Sequence, residues 1–383
     1  MDLNSEGNRM LEPVINFFSR IFYYIGRGIG FLVGIILWPF LWLGSWYGQR
    51  GIVLKAVLGV VALVWLGLYG YFFYNTQAWT NFNPDYISVY DFKNRNVPAG
   101  EPVAAQAAGT PAKSCARSAI VEVTADLTDF NVNQNAWISS MLLYKLGFFG
   151  VDWDNTPFLD NKASFQRGIN SAVRRTAVEL VDTLGRVRGT SQIDADLQKA
   201  RGNLQFTEDA WYFGVNPFGP KTPTPSYYRS AVRDLRTFNS KLENCNAIFD
   251  ARADNLIQFI DRIANDIGAT SAILKDRSEN NNYGWFDTRA DDRFWFAYGQ
   301  LYAYYGLMNA AQVDFNQVLQ EKHLTPLWDG MDGQLRAALN IKPWIIANGK
   351  ESGWLLPNHL TTMGFYILRV RSNLIDIKQV LQQ

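Results

Sequence analysis

Two long runs of uncharged, mainly apolar residues near the N-terminus constrain this chain more than any other feature of its sequence. Residues 28–47 (GIGFLVGIILWPFLWLGSWY) and residues 56–74 (AVLGVVALVWLGLYGYFFY) contain no charged side chain. Each run has roughly the 20 residues that a helix needs to cross the hydrocarbon core of a bilayer. The sequence therefore predicts a basic N-terminal segment over residues 1–27 and a membrane anchor over residues 28–74.

The sidedness of the anchor stays open at the level of sequence. The short polar connection between the two runs allows a two-span hairpin, or one span preceded by a helix that lies in the membrane surface. These arrangements place the rest of the chain on opposite sides, and the nearby positive charges divide five to two in either case. Gly26, Gly30 and Gly34 repeat at every fourth position, a spacing that lets helices approach closely in a membrane. We expect this row to pack the hairpin or to mediate self-association.

The segment that follows the anchor is predicted to lie at the membrane surface and then to become a linker. Residues 75–114 begin with closely spaced aromatic residues, typical of an interfacial belt, and end in a stretch rich in Ala, Pro and Gly. The belt residues are Trp79, Phe82, Tyr86 and Tyr90. A soluble domain is predicted over residues 115–383.

Apolar side chains in that domain recur at intervals of three and four residues, which predicts an all-α fold. Residues 120–124 are the one candidate strand. The simplest architecture is an elongated antiparallel helical bundle, in which residues 228–267 form one helix of roughly 40 residues. The other predicted helices cover residues 163–187, 291–320, 327–339 and 357–381.

Composition excludes some classes of function and leaves the compartment open. The chain carries 36 Lys and Arg residues against 35 Asp and Glu residues. A balanced charge gives no electrostatic reason to expect nucleic acid as a partner. Cys115 and Cys245 are the only cysteines, and they are compatible with one disulfide in an oxidising compartment or with two buried thiols in a reducing one.

Motifs that carry chemistry are scarce. His323 and His359 lack any metal-ligand spacing, and no nucleophile elbow or phosphate-binding glycine loop occurs. The sequence therefore predicts neither a metal site nor a cofactor.

Four carboxylates remain as candidate catalytic groups: Asp152, Asp154, Asp291 and Asp292. They could pair as general acid and base across a groove, with Trp153 and Trp295 as a platform for a sugar. Turn chemistry and the helix dipole explain the same residues without catalysis.

Three strings of the soluble region resemble an uncharacterised proteobacterial family of membrane-anchored proteins, catalogued as a domain of unknown function. They are IVEVTADLTDFNVNQNAW (120–137), DDRFWFAYGQLYAYYGLM (291–308) and LLPNHLTTMGFYILRVRSNLIDI (355–377). The resemblance implies a bacterial inner-membrane protein with one short span before a helical domain. Residues 56–74 take that role, which favours a periplasmic domain. No catalytic role can be carried over from the family.

Two functional hypotheses follow, of different classes. The first is a non-enzymatic, membrane-tethered module that contacts the lipid bilayer and an envelope protein or a second copy of itself. The alternative is a membrane-anchored glycan or cell-wall hydrolase that uses the four carboxylates. A sensor is a third interpretation, but the chain has no segment large enough to be a cytoplasmic output domain.

Overall fold

A computed structural model describes residues 4–103, 114–148, 150–156, 158–186, 193–284, 286–353 and 356–383, with side chains from residue 16 onwards except that of Val215. Its backbone separates into two compact units, Met1–Tyr69 and Gly70–Gln383. The second unit is called the helical domain below.

Two apolar helices dominate the N-terminal region. Helix α1 spans Asn4–Gly48, and helix α2 spans Ile52–Gln77, so that α2 begins in the first unit and ends in the second. Both are long and apolar enough to cross a membrane, over Asn16–Gly48 in α1 and over the whole of α2. Between Asn16 and Gly48 the side chains are almost all exposed, and no described residue covers an apolar face of this helix.

The helical domain contains ten further α-helices in its described part, and the all-α prediction is confirmed. A short antiparallel hairpin of β1 (Phe213–Val215) and β2 (Phe218–Pro220) is its only described sheet. The helices are α3 (Ala119–Asp129), α4 (Leu142–Leu146), α5 (Asn161–Glu179), α6 (Ala195–Leu204), α7 (Thr224–Glu243), α8 (Ala253–Asn280), α9 (Ala290–Asp314), α10 (Asn316–Glu321), α11 (Thr325–Leu339) and α12 (His359–Leu381).

Helix α9 is the centre of the domain and is buried on nearly all sides. It packs most closely against α5, where Gly168 and Gly299 face the backbone of the opposite helix. A Cβ atom at Gly168 would lie 2.1 Å from the carbonyl oxygen of Phe296, and one at Gly299 would lie 2.1 Å from that of Phe165. Because real Cβ atoms do not approach so closely, only glycine allows this crossing at the present separation.

Residues 120–124 do not form the predicted strand. They lie in α3, which begins after Ser118 and is buried along most of its length. The carboxylate of Asp314, at the end of α9, accepts hydrogen bonds from the Ser118 hydroxyl (2.6 Å) and from the backbone N–H groups of Ala119 (2.8 Å) and Ile120 (2.9 Å). The β-branched residues of this segment suggested a strand. The hydrogen bonds between Asp314 and the start of the segment and its burial against α9 favour a helix instead.

The predicted helix of roughly 40 residues is also wrong, because α7 and α8 are separate helices. The backbone of Cys245 has φ +56°, a left-handed conformation that ends α7. Cys245 forms a disulfide with Cys115, and the two Cα atoms are 5.3 Å apart. The apolar spacing continues through this break, which is why the sequence pattern did not reveal it.

The aromatic residues assigned to a membrane-surface belt pack inside the helical domain instead. The ring of Trp79 stacks on Phe165, with centroids 4.9 Å apart, and the ring of Tyr86 stacks on Tyr302 at 4.5 Å. The Tyr86 hydroxyl donates to the carbonyl oxygen of Tyr302 (2.9 Å). The folded domain therefore begins well before residue 115, whereas residues 104–113 of the predicted linker lie outside the described residues.

Candidate functional site

Two of the four predicted carboxylates lie together with a third that the sequence did not single out. Asp154, Asp160 and Asp292 each present a carboxyl oxygen, and these oxygens all lie within 4.8 Å of one another. We call these three residues the acidic cluster. Asp152 is exposed and lies outside it, whereas Asp291 is buried beside it.

Three separate elements bring the cluster together. Asp154 belongs to the 3-10 turn Trp153–Asn155, Asp160 directly precedes α5, and Asp292 lies in the first turn of α9. Trp153 fixes the turn, because its buried ring packs 4.8 Å from the ring of Phe72 and its indole N–H donates to the carbonyl oxygen of Leu143 (2.7 Å). The close crossing of α5 and α9 then sets their starts beside the turn.

Hydrogen bonding within the cluster is uneven. The Asp154 carboxylate accepts from the Tyr144 hydroxyl (3.0 Å), and that of Asp292 accepts from the Ser164 hydroxyl (2.7 Å). Asp160 is completely buried, and no hydrogen-bond donor among the described residues contacts either of its carboxyl oxygens. A buried carboxylate without a hydrogen-bond donor is costly, so Asp160 must either take up a proton or pair with a cation.

Burial and mutual repulsion shift the acid equilibria of these groups. Burial, followed by the charges of Asp292 and Asp291, raises the pKa of Asp160 far above its usual range. Burial and the neighbouring Asp292 raise the pKa of Asp291 to about 8. The carboxyl groups of Asp160 and Asp292 are close enough to share a proton. Without a cation, the cluster is therefore incompletely ionised near neutral pH.

The two tryptophans of the predicted sugar platform pack against other aromatic rings of the domain. Trp153 is only 1% exposed, so its face cannot bind a sugar. Trp295 packs against Trp79. A cavity of about 480 Å³ is lined by Arg167 and by other residues of α5 and its neighbours, and no member of the acidic cluster lines it. The predicted pairing of carboxylates is thus partly present, Trp153 is not available as a platform, and Trp295 is half-buried.

The two histidines lie apart from the cluster. His359 begins α12, where its Nδ1 accepts from the backbone N–H of Ala347 (2.9 Å) and burial lowers its pKa. His323 follows α10 with φ +52°. Both positions agree with capping or turn roles.

Lys162 is a buried cation that the sequence did not reveal. Its ammonium group donates to the backbone carbonyl oxygens of Asn75 (2.9 Å) and Ala78 (2.6 Å), at the C-terminal end of α2. Burial lowers the pKa of Lys162 to about 8. Because a helix end carries unpaired carbonyl groups and partial negative charge, this lysine stabilises the end of α2 within the domain.

Sequence reasoning missed Asp160 because an aspartate directly before a helix is an ordinary N-terminal residue. Its side chain does not cap α5. Only the fold, which buries it beside α9, distinguishes it from other aspartates of this kind.

Searches of curated proteins and of solved structures found no match to this chain. One protein family matches over residues 116–283 and 274–383, which together make up most of the helical domain. Its description is "uncharacterized protein conserved in bacteria". The chain therefore belongs to this bacterial family of unknown function, DUF2333.

Proposed function

We propose that this chain is anchored in the bacterial inner membrane by its N-terminal helices, and that its helical domain acts in the periplasm as a structural or interaction module of the cell envelope. The disulfide is the observation that carries the choice of compartment. The exposed apolar helices support the membrane attachment.

Helices α1 and α2 support the anchor because most of their apolar side chains are exposed over residues 16–48 of α1 and over α2 before Tyr69. Leu63 and Leu66 of α2 are 71% and 67% exposed, and Phe31 and Leu41 of α1 are each 69% exposed. A continuous apolar surface of this kind is unfavourable in water and favourable in a lipid bilayer.

Exposed rings around the C-terminal end of α2 support a membrane-facing side of the helical domain. The side-chain amide of Gln77 donates to the carbonyl oxygen of Phe158 (3.1 Å), and the ring of Phe158 lies 6.5 Å from that of Trp344. Trp344 is 89% exposed. Phe148, also exposed, contacts Trp153, which packs on Phe72 of α2. Aromatic rings in such positions favour the headgroup level of a membrane.

The disulfide between Cys115 and Cys245 supports the periplasm. Disulfides persist in the bacterial periplasm and are rare in the cytosol, where thiols are kept reduced. This bond joins the segment before α3 to the end of α7 and closes a loop of 130 residues. In the periplasm it would hold the start of the domain core in place.

Thiol alkylation in whole cells tests the compartment. Cells are quenched with acid, denatured and treated with a maleimide of high mass, with or without prior reduction. We expect no modification before reduction and modification of both cysteines after it. Modification of both cysteines without reduction would place the domain in the cytosol. The Cys115→Ser variant is the matched control, since its single thiol at Cys245 should react in both samples.

Photocrosslinking in cells tests the interaction role. A photoreactive residue at Phe218, which is 81% exposed on the β1–β2 hairpin, reports on contacts at the domain surface. One at Phe294, which is fully buried in α9, is the matched control. We expect discrete protein adducts from exposed positions, at twice the 43.5 kDa mass of the chain if the partner is a second copy. A set of exposed positions that yields no adduct would argue against an interaction module.

A further inference from the structure

We propose that Asp154, Asp160 and Asp292 form a binding site for Ca²⁺ within the helical domain. This inference is independent of the compartment and of any partner, because all three ligands belong to the unit Gly70–Gln383.

The state of Asp160 points to a ligand. Its side chain is completely buried, both carboxyl oxygens lack a hydrogen-bond donor among the described residues, and it is directed at the carboxyl groups of Asp154 and Asp292. Most buried aspartates are held by N–H or O–H donors, as Asp314 is in this same domain. Asp291, buried beside the cluster, shares with Asp160 the lack of a donor among the described residues. Where a hydrogen-bond donor would be expected, Asp160 faces the carboxyl oxygens of Asp154 and Asp292, and this arrangement suits a bound cation.

The charges around the cluster leave a negative balance. Three carboxyl groups meet, with Asp291 buried close by. Arg167 is a cation that acts on Asp292, but it also lies over the ring of Tyr144 and donates to the Ser139 hydroxyl (3.0 Å). The ammonium group of Lys162 is occupied by the carbonyl groups at the end of α2. One guanidinium cannot neutralise this group of carboxylates, so a divalent cation would complete the site.

The spacing of the oxygens and the chemistry of the donors suit Ca²⁺. Three atoms that lie within 4.8 Å of one another can all be within about 2.8 Å of one common point, close to the 2.3–2.6 Å of Ca²⁺–oxygen bonds. Mg²⁺ demands near-octahedral geometry at roughly 2.0–2.1 Å and usually keeps several waters, so a buried site of three carboxylates suits it less well. An all-oxygen donor set with no histidine or cysteine also disfavours Zn²⁺ and copper. Bidentate carboxylates and water can supply the remaining ligands.

A bound Ca²⁺ would join three elements that are far apart in sequence: the turn Trp153–Asn155, the start of α5 and the start of α9. The turn also carries Trp153, which packs against Phe72 of α2. We therefore expect the ion to stabilise the domain rather than to act in a reaction.

Calcium titration of the full-length chain in detergent, after treatment with a chelator, tests the site. Calorimetry should give one Ca²⁺ per chain, and the midpoint of thermal unfolding should rise by roughly 5 °C when free Ca²⁺ is 100 times Kd. No binding and no shift up to about 10 mM Ca²⁺, above the range in which extracellular modules bind this ion, would overturn the proposal. Equal or tighter binding of Mg²⁺ would overturn the choice of ion.

Two variants and a control locate the site. Asp160→Asn should abolish the Ca²⁺-dependent rise, while its midpoint without metal should equal or exceed that of the wild type, because a neutral amide replaces a carboxyl group whose ionisation is disfavoured by burial. Asp154→Asn, at a less buried position, should lower the affinity at least tenfold and serves if Asp160→Asn does not fold. Asp152→Asn, an exposed aspartate in the same loop, should bind as the wild type does. Retention of the full response in both Asp160→Asn and Asp154→Asn would overturn the proposed site.

Discussion

Helix α9 and the N-terminal helices α1 and α2 are apolar on nearly all sides, yet their surroundings are opposite. In α9 the rings and aliphatic side chains are covered by the other helices of the domain, and Tyr298, Leu301 and Tyr305 are fully buried. In α1 and α2 the same types of side chain are exposed over most of their length. An all-round apolar helix therefore does not identify a membrane span by itself. What distinguishes the two cases is whether other helices of the fold pack against the apolar side chains.

The sharpest test of this comparison places the same charge in each region. Leu301→Asp in α9 should prevent folding of the domain, because an unpaired buried carboxylate costs several kcal/mol, a large share of an ordinary protein's stability. Leu63→Asp in α2 should leave the domain folded and weaken insertion by about 3 kcal/mol. Near-ultraviolet circular dichroism measures the first effect, and the fraction of chain in membrane pellets measures the second. A folded Leu301→Asp domain would contradict the central position of α9.

The disulfide should contribute the next largest effect, and only in the helical domain. Replacing both Cys115 and Cys245 by Ser removes a crosslink across 130 residues and should lower the free energy of unfolding by about 4 kcal/mol, mainly by freeing the unfolded chain. Denaturant unfolding in detergent, with and without reductant, checks this value. Under reducing conditions, the free energy of unfolding of the wild type should approach that of the double variant. Equal free energies in all samples would show that the bond does not form.

Glycines in the two regions should respond differently to the same substitution. Gly299→Ala should destabilise the domain by about 3 kcal/mol, since its methyl group would meet the backbone of α5. Gly30→Ala in α1 has no described atom within 4 Å of the new methyl group, and should leave domain stability unchanged. Gly330→Ala, in α11 with equally open space, is the control within the domain and should be neutral or stabilise by up to about 1 kcal/mol. The same loss in all three variants would refute a specific close crossing.

The smallest predicted effect concerns the charge at the end of α9. Burial raises the pKa of Asp314 to about 6 despite its hydrogen bonds to Ser118, Ala119 and Ile120. The folded state thus holds this proton more tightly than the unfolded state, where the pKa is near 3.8. Its contribution is greatest below pH 4 and is lost as the pH rises from about 4 to 6, at about 1.4 kcal/mol per pH unit. The free energy of unfolding is measured as a function of pH for the wild type and for Asp314→Asn. The wild type should lose stability relative to the variant as the pH rises from about 4 to 6, and a relative gain of stability would refute the prediction.

The fold class could be predicted from the sequence because helix-forming periodicity is local, and the patterns of α11 and α12 were found within two residues of their places in the structure. The single helix predicted over residues 291–320 is wrong in one respect, because α9 ends at Asp314 and α10 follows as a separate helix. The break between α7 and α8 could not, because apolar spacing continues through it. The location of Trp79 and Tyr86 was also out of reach, since a ring beside an apolar helix looks the same whether it faces lipid or Tyr302.

The candidate site was predictable only in part. Asp154 and Asp292 stood out as members of acidic pairs, but Asp160 looks like any residue that precedes a helix. Its burial depends on the crossing of α5 and α9 at Gly168 and Gly299, which are far apart in sequence. Geometry of this kind cannot be deduced from the local pattern of one chain.

Sidedness of the helical domain is the most direct test of the account. An impermeant label or a protease is applied to intact spheroplasts that express the chain with a reporter after Gln383, and a cytoplasmic protein monitors lysis. If the helical domain is periplasmic, the reporter is reached from outside while the cytoplasmic control stays protected. Protection of the reporter in intact spheroplasts, with full access after lysis, would contradict a periplasmic domain.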